Sequence, residues 1–487
     1  MSGRKVTKDR VEMPAQDPKC RICNWNQVET GISLADAKKE AGRCLQDGAR
    51  KCESGCPVGI PIHSMLEFVE KGWMRRAANL VREHNLLLAI TSLVCPQTEQ
   101  CEAACLIAKS KNPAVAIGNV ERAIYEWERD NGGPQIPTLL PENGKCVAIV
   151  GSGPAGLTAA AFLRVYGYRV VIFEALHVAG GVLMYGIPEF RLPKAVVQGE
   201  VDYILSFGGI ELVKNTFISK RFTVEELKRE FDAIYFASGA GKPIPLGIPG
   251  EDLFGVLTAN EWLTRVNLLH GNLAEYETHL PDFKNIVIFG GGNVAMDSVR
   301  SGKRVITERV RGMLEETSST IAYRRSKELM PARVQEVHHA EEEDVAIQGQ
   351  VSPIRILSED GKRVSGVECV RTELGEPDAS GRRRPVEVAG SNFILPADLV
   401  VTALGNKPNP AVINQMEGVR VGRGGNVCVD KEGRTSVPGL FAGGDLGRGG
   451  ATVILATGDG KSAALAIHKW LSKETPWPTP EEWKPIT

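Results

Sequence analysis

Apolar positions in the first hundred residues recur at helical spacing. Leu34, Ala37, Ala41 and Leu45 lie three or four residues apart behind Ser33 and Asp36, which resemble a capping box. Ile62, Met65, Leu66, Val69, Trp73 and Ala77 repeat the spacing and predict a second helix over 62–77. The stretch NGGPQIPTLLPENG, 131–144, is rich in Pro and Gly and carries no periodicity, which marks a linker. Beyond it, short β-branched strands alternate with helices, the pattern of parallel α/β sheets. Strand–glycine loop–helix units occur at 145–167 and 285–300, and a third glycine-rich stretch occupies 441–460. The chain therefore divides into a helical module at 1–140, one α/β domain made of 141–284 and 395–487, and a second at 285–394 inserted into the first.

Composition narrows what such a chain can do. A length of 487 residues suits about three domains of ~150 residues. With 58 Lys and Arg against 59 Asp and Glu, no global basic field exists to hold a nucleic-acid backbone. No run approaches the ~18 apolar residues of a membrane span, and the start, MSGRKVTKDR, lacks a signal-like apolar stretch, so a cytoplasmic protein is expected. Eight of the 11 cysteines fall at 20, 23, 44, 52, 56, 95, 101 and 105. In a reducing compartment that cluster reads as metal or iron–sulfur ligation before disulfides.

The first glycine loop, GSGPAG, follows the strand KCVAIV and opens a helix. Gly151 permits the tight turn, Gly153 lets the backbone approach a pyrophosphate, and Gly156 allows close helix–strand packing, with Pro154 and Ala155 in the first helical turn. Glu174 ends the next strand about 20 residues on, placed to accept hydrogen bonds from an adenosine ribose. The proline in this loop, together with GGD at 443–445, resembles the FAD-binding pattern of two-dinucleotide flavoprotein reductases. By that resemblance Gly444 and Asp445 hold the flavin's ribityl or phosphate region, and a helix starting near Ala451 and Thr452 points at it.

The second loop, GGGNVAMD, repeats the device with Gly290, Gly291, Gly292, Asn293 and Val294. Its following strand, STIAYRRS, ends in Arg324 and Arg325 where an NAD site would offer a carboxylate. Guanidinium forks suit a 2′-phosphate, so NADP(H) is the expected ligand.

Cys44, Cys52 and Cys56 form one group, and Cys95, Cys101 and Cys105 another. Soft thiolates select iron–sulfur clusters or zinc, and two nucleotide sites downstream favour the electron-carrying metal.

Beside these motifs, GCPVGI, VCPQTEQCEAAC, IGNVERA, GGVLMYGIPEFRLPK, YRRS, ELMPAR and GLFAGGD extend the pattern over about 40–465. The whole resembles the glutamate synthase small-subunit family. That family also includes the large subunit of NADH-dependent ferredoxin:NADP oxidoreductase and the N-terminal half of dihydropyrimidine dehydrogenase. The resemblance implies two Rossmann-like domains behind an α-helical iron–sulfur domain, with FAD, NADP(H) and two [4Fe-4S] clusters. One cluster would take Cys44, position 47, Cys52 and Cys105, and the other Cys56, Cys95, Cys101 and Glu121. Position 47 departs from the family, being Asp47 rather than cysteine. A Cys3Asp cluster, a three-iron cluster and a substitute ligand, for which the additional pair Cys20 and Cys23 is available, all stay open. The resemblance also puts Gly180, Gly181 and Arg191 along the isoalloxazine, Gly239 near the flavin nucleotide, and Arg333 with Arg324 and Arg325 around the NADP phosphate.

Flavin and metal would perform the chemistry, and no side-chain triad is required. No acceptor domain is written in the chain, so partner redox subunits are implied, ferredoxin among them. The five residues between Cys95 and Cys101 suit the ferredoxin:NADP branch and with it flavin-based electron bifurcation. Two other readings are a glutamate synthase small subunit and a structural electron relay whose nucleotide site is vestigial. The segment 301–320 also reads as a lengthened helix suited to a partner contact.

Overall fold

The computed structural model describes residues 9–219, 222–269, 280–310, 316–377 and 383–486. The amino-terminal module is helical. Ser33 caps Leu34–Ala41 by accepting from the Asp36 N–H, as its spacing implied. The helix expected over 62–77 is two helices, Ile62–Glu70 and Met74–His84. The chain turns between them at Gly72, whose φ of +76° ends the first and redirects the second. Residues 131–144 join the module to the first sheet without helix or strand.

Two five-stranded sheets follow, each with every neighbouring pair parallel. The first runs in the order Leu440–Ala442, Ala233–Phe236, Cys146–Val150, Arg169–Phe173, Ile210–Val213. Its edge strand arrives only after the second unit is complete, so the second unit is inserted. The second sheet runs Val256–Thr258, Leu399–Thr402, Asn285–Phe289, Ser318–Tyr323, Ala346–Gly349. It therefore draws strands from both sides of the 285–394 range read from sequence. Those outer strands are three and four residues long and carry no glycine loop to announce them. An antiparallel excursion, Val351–Leu357, Gly366–Pro377, Arg383–Glu387 and Phe393–Pro396, rides on this domain. The long helix after the second loop spans Asn293–Val310, and residues 311–315 of the segment read as lengthened lie outside the described residues.

Buried charges fasten the modules. Arg82 donates to Glu128 of its own module and to Glu200 of the first nucleotide domain, all three 5% exposed or less. Arg191, on the loop after the first domain's second strand, bridges Asp297 at 2.7 Å and Glu336 at 3.1 Å in the second. Arg300 and Arg304 pair with Glu343 and close over the ring of Phe190, 4.8 and 3.8 Å from its centroid. Arg21, from the amino-terminal segment, reaches the same Glu343 at 2.8 Å. Burial of this kind holds only because every charge has a partner; removing one leaves another stranded at a cost of about 3–5 kcal/mol.

Candidate functional site

Packing dictates the first glycine loop. A Cβ on Gly151, where φ is +104°, would lie 2.5 Å from the Ala237 carbonyl oxygen, and one on Gly156 would lie 2.0 Å from that of Gly151. At Gly153 a Cβ would meet nothing within 4 Å, so this is the open face where a ligand can approach the backbone. Gly153 then caps the helix Pro154–Val165. Glu174 is 5% exposed and folded back on the loop, accepting from the backbone N–H and hydroxyl of Ser152 and from Leu176 N at 2.8 Å. The Gly180–Gly181 pair covers the loop: Gly180 N donates to the Ser152 carbonyl, and a Cβ on Gly181 would stand 3.1 Å from Gly153 Cα.

A second helix start meets the first. Thr452 caps Val453–Leu471, and Gly460 on that helix lies so near the Ala155 carbonyl that a Cβ would come within 2.2 Å. Gly444 adopts φ +61° beside Ala155, and Asp445 accepts from Ala451 N at 3.2 Å. Burial raises the Asp445 carboxyl above its ordinary range. Gly239 follows the strand Ala233–Phe236 with open space around it. Gly151, Gly153, Glu174, Gly181, Gly444 and Asp445 thus gather at the carboxyl ends of the first sheet's strands, where open α/β sheets bind ligands.

The second loop is built alike. A Cβ on Gly290 would strike the Ala403 carbonyl and one on Gly291 the Tyr323 ring, whereas Gly292 faces open space and Val294 is 41% exposed. Arg324 is exposed, and Arg325 carries a buried Nε without a hydrogen-bond partner among the described residues. Asn293 Oδ1 accepts from Arg333 N at 2.9 Å, so the ELMPAR turn is clamped to the loop. The charge of Arg333 also acts on Glu29, Glu336 and Cys95. Asp297 and Glu336 hold the Arg191 guanidinium in the seam between the two nucleotide domains.

The cysteines separate into two groups that interleave along the chain. Cys44, Cys52 and Cys105 are buried around one pocket, which Asp47 and His63 also line. Burial, with Cys44 and Cys105 nearby, pushes the Cys52 thiol up to about 12. Cys56, Cys95 and Cys101 form the second group with Glu121, whose charge acts on all three thiols. Glu121 is 6% exposed, has no hydrogen-bond or ion-pair partner among the described residues, and is raised to about 7 by burial and then by Glu102. A buried carboxylate beside three thiols raised by burial could hold a cation. Among the described residues no three His, Cys, Asp or Glu side chains close in on a single ion. Cys20 and Cys23 are exposed on the short helix Pro18–Arg21 and the turn after it, outside the pocket of Asp47.

Three residues that the sequence did not single out join these parts. Lys461, on the helix Val453–Leu471, donates to the carbonyl oxygens of Val58 at 2.7 Å and His84 at 3.1 Å. One turn earlier, Gly458 packs so closely on the Cys56 loop that a Cβ would sit 2.9 Å from the Pro57 carbonyl. His63 faces Asp47. No spacing rule in the sequence links residues 403 apart, and a lysine inside a helix gives no signal of its own.

Comparison with known proteins places these features. The pyridine nucleotide-disulphide oxidoreductase family matches residues 145–460, and dihydropyrimidine dehydrogenase domain II, 4Fe-4S cluster, matches 21–133. The chain is 35% identical to the glutamate synthase [NADPH] small chain of Escherichia coli, over 96% of its own length and 98% of the relative's. It is 35% identical to the NADPH-Fe(3+) oxidoreductase subunit beta of Geobacter sulfurreducens over 88% of this chain and 65% of that one. The solved structure of Mycobacterium tuberculosis FprA in complex with NADPH shares the fold over 69% of this chain and 86% of its own, with a TM-score of 0.55 at 21% identity. No helix among the described residues is long and apolar enough to cross a membrane. With one glycine-loop domain nested in another and end-to-end likeness to a glutamate synthase small chain, this chain belongs to the pyridine nucleotide-disulphide oxidoreductase family, in the group that carries an amino-terminal 4Fe-4S domain.

Proposed function

We propose that the chain oxidises NADPH and delivers the electrons, through FAD and two iron–sulfur clusters, to a partner redox subunit. Bound FAD supplies the conversion between a two-electron hydride donor and one-electron iron–sulfur carriers. The backbone at Gly153, the helix starts at Pro154 and Val453, Glu174 and Asp445 hold it; Gly292, Arg324 and Arg325 hold NADPH. Cys56, Cys95, Cys101 and Glu121 hold one cluster, and Cys44, Cys52 and Cys105 the thiolate side of the other.

One observation carries the reading: the helix that completes the first glycine loop is itself bonded to the Cys56 loop, by Lys461 to Val58 O at 2.7 Å and by Gly458 against Pro57. A dinucleotide domain and a cysteine module that merely shared a chain would have no reason for a lysine bond and so close a glycine contact there. Buried Glu121, with neither a hydrogen bond nor an ion pair among the described residues, fits ligation better than surface display.

Anaerobic titration with NADPH tests this. Bleaching of the flavin absorbance followed by iron–sulfur EPR signals is the expected result; a flavin that NADPH leaves oxidised would overturn it and favour a relay with a vestigial nucleotide site. A second reading, the small subunit of a glutamate-forming enzyme, draws on the match over 98% of a glutamate synthase small chain. Co-purification with a glutaminase-containing chain would select it, whereas reduction of ferredoxin by the purified complex would select the bifurcating branch.

A further inference from the structure

The first cysteine group has three thiols and, at the fourth position, a carboxylate. We propose that the ligand completing it is His63, through Nε2, so that the first cluster is held by Cys44, Cys52, Cys105 and an imidazole. This rests on the iron–sulfur reading above and names a ligand that neither the cysteine spacing nor the family pattern contains.

His63 and Asp47 line the same pocket as the three thiols. They are not equivalent donors. The imidazole is 3% exposed, on the first turn of Ile62–Glu70, and its Nδ1 stands 3.8 Å from Cys52 Sγ. The Asp47 side chain is 24% exposed, and its Oδ1 is already spent on the N–H groups of Ala49 and Arg50, both at 3.0 Å. Loop geometry, not the pocket, claims that oxygen.

The ring's orientation is fixed by a carboxylate behind it. Glu53 Oε1 accepts from the His63 backbone N–H at 3.2 Å and faces Nδ1 at 3.2 Å. With Nδ1 carrying the hydrogen, Nε2 presents a lone pair. A carboxylate behind one ring nitrogen and a metal at the other is the usual setting of a ligating histidine. Nε2 faces Asp47 Oδ2 at 3.3 Å, so a metal at that nitrogen would have this carboxylate beside it. Neutral imidazole is also a softer donor to iron than a carboxylate. Asp47 then serves as the outer neighbour of the ligand, and the exposed pair Cys20 and Cys23 is not needed.

The test uses the whole chain, isolated without oxygen and reduced with dithionite. Iron and acid-labile sulfide are measured first. Pulsed EPR is then recorded on protein grown with ordinary and with 15N-labelled histidine, a comparison that needs no variant to fold. A nitrogen coupling of directly bound imidazole that changes with the label, and that vanishes in His63→Ala while surviving in Asp47→Asn, is the expected result. His63→Ala should leave the signal of the Cys56 group unchanged. Clusters present but blind to the label would overturn the His63 assignment alone. A change of the first cluster in Asp47→Asn with none in His63→Ala would do the same, and would give the position to Asp47. Absence of iron and sulfide would remove the iron–sulfur reading and this proposal together.

Discussion

Lys461 Nζ lies 2.7 Å from the Val58 carbonyl oxygen, two residues past Cys56, and so ties the nucleotide domain's last helix to a cysteine-bearing loop. Burial lowers the lysine's pKa, and the electrostatic pull of Cys56 opposes that. Replacing it by Met keeps the stem and removes the bond. Lys461→Met should leave flavin reduction by NADPH within twofold of the parent and slow the appearance of iron–sulfur EPR signals at least tenfold in rapid-freeze experiments. Equal slowing of both steps would mean that the contact does not serve transfer between them.

Gly153 and Gly156 of the first loop should separate folding from binding. Gly153→Ala adds a methyl group where the protein offers empty space, so the flavin-free chain should melt within about 0.5 kcal/mol of the parent while FAD is lost on gel filtration. Gly156→Ala drives the same methyl into the Gly151 carbonyl and should destabilise the flavin-free chain by about 3 kcal/mol, read by urea unfolding.

Arg324→Ala should separate the two nicotinamide cofactors. A charge-assisted bond to a 2′-phosphate contributes about 1.5–3 kcal/mol. The variant should therefore lose roughly tenfold to a hundredfold in kcat/KM with NADPH and less than threefold with NADH. Equal losses would discard the phosphate role.

These outcomes bear on what a sequence can disclose. Both glycine loops and the linker were legible, because each depends on residues close together in the chain. Sorting the cysteines into their two groups came from resemblance, since Cys105 returns to Cys44 and Cys52 across another group's members. Gly72's break in the helical spacing was masked by Trp73, which is apolar and in phase but 43% exposed. Least legible were the interdomain charges. Arg21 and Glu343 are 322 residues apart, and on the page each is an ordinary surface residue type.

That charge network also carries a pH dependence. Burial, then the neighbouring Arg300, lowers His339 from its ordinary 6.5 to about 4. Below 6.5 the unfolded chain takes a proton that the folded one refuses, so stability is full above that pH and falls as acid is added, until about pH 4. The loss is on the order of 3 kcal/mol. Thermal melts of His339→Gln between pH 7 and 4.5 should show a shallower decline than the parent; identical slopes would assign the acid sensitivity elsewhere.

Gly458 has a further consequence. Where a residue without a side chain lies against another body's main chain, no rotamer can lengthen or shorten that contact, and it acts as a mechanical stop. The spacing between the first glycine loop and the Cys56 group is then set once, at folding. The second nucleotide domain is held differently, through the side chains of Arg191 and Arg21, whose contacts impose no such stop.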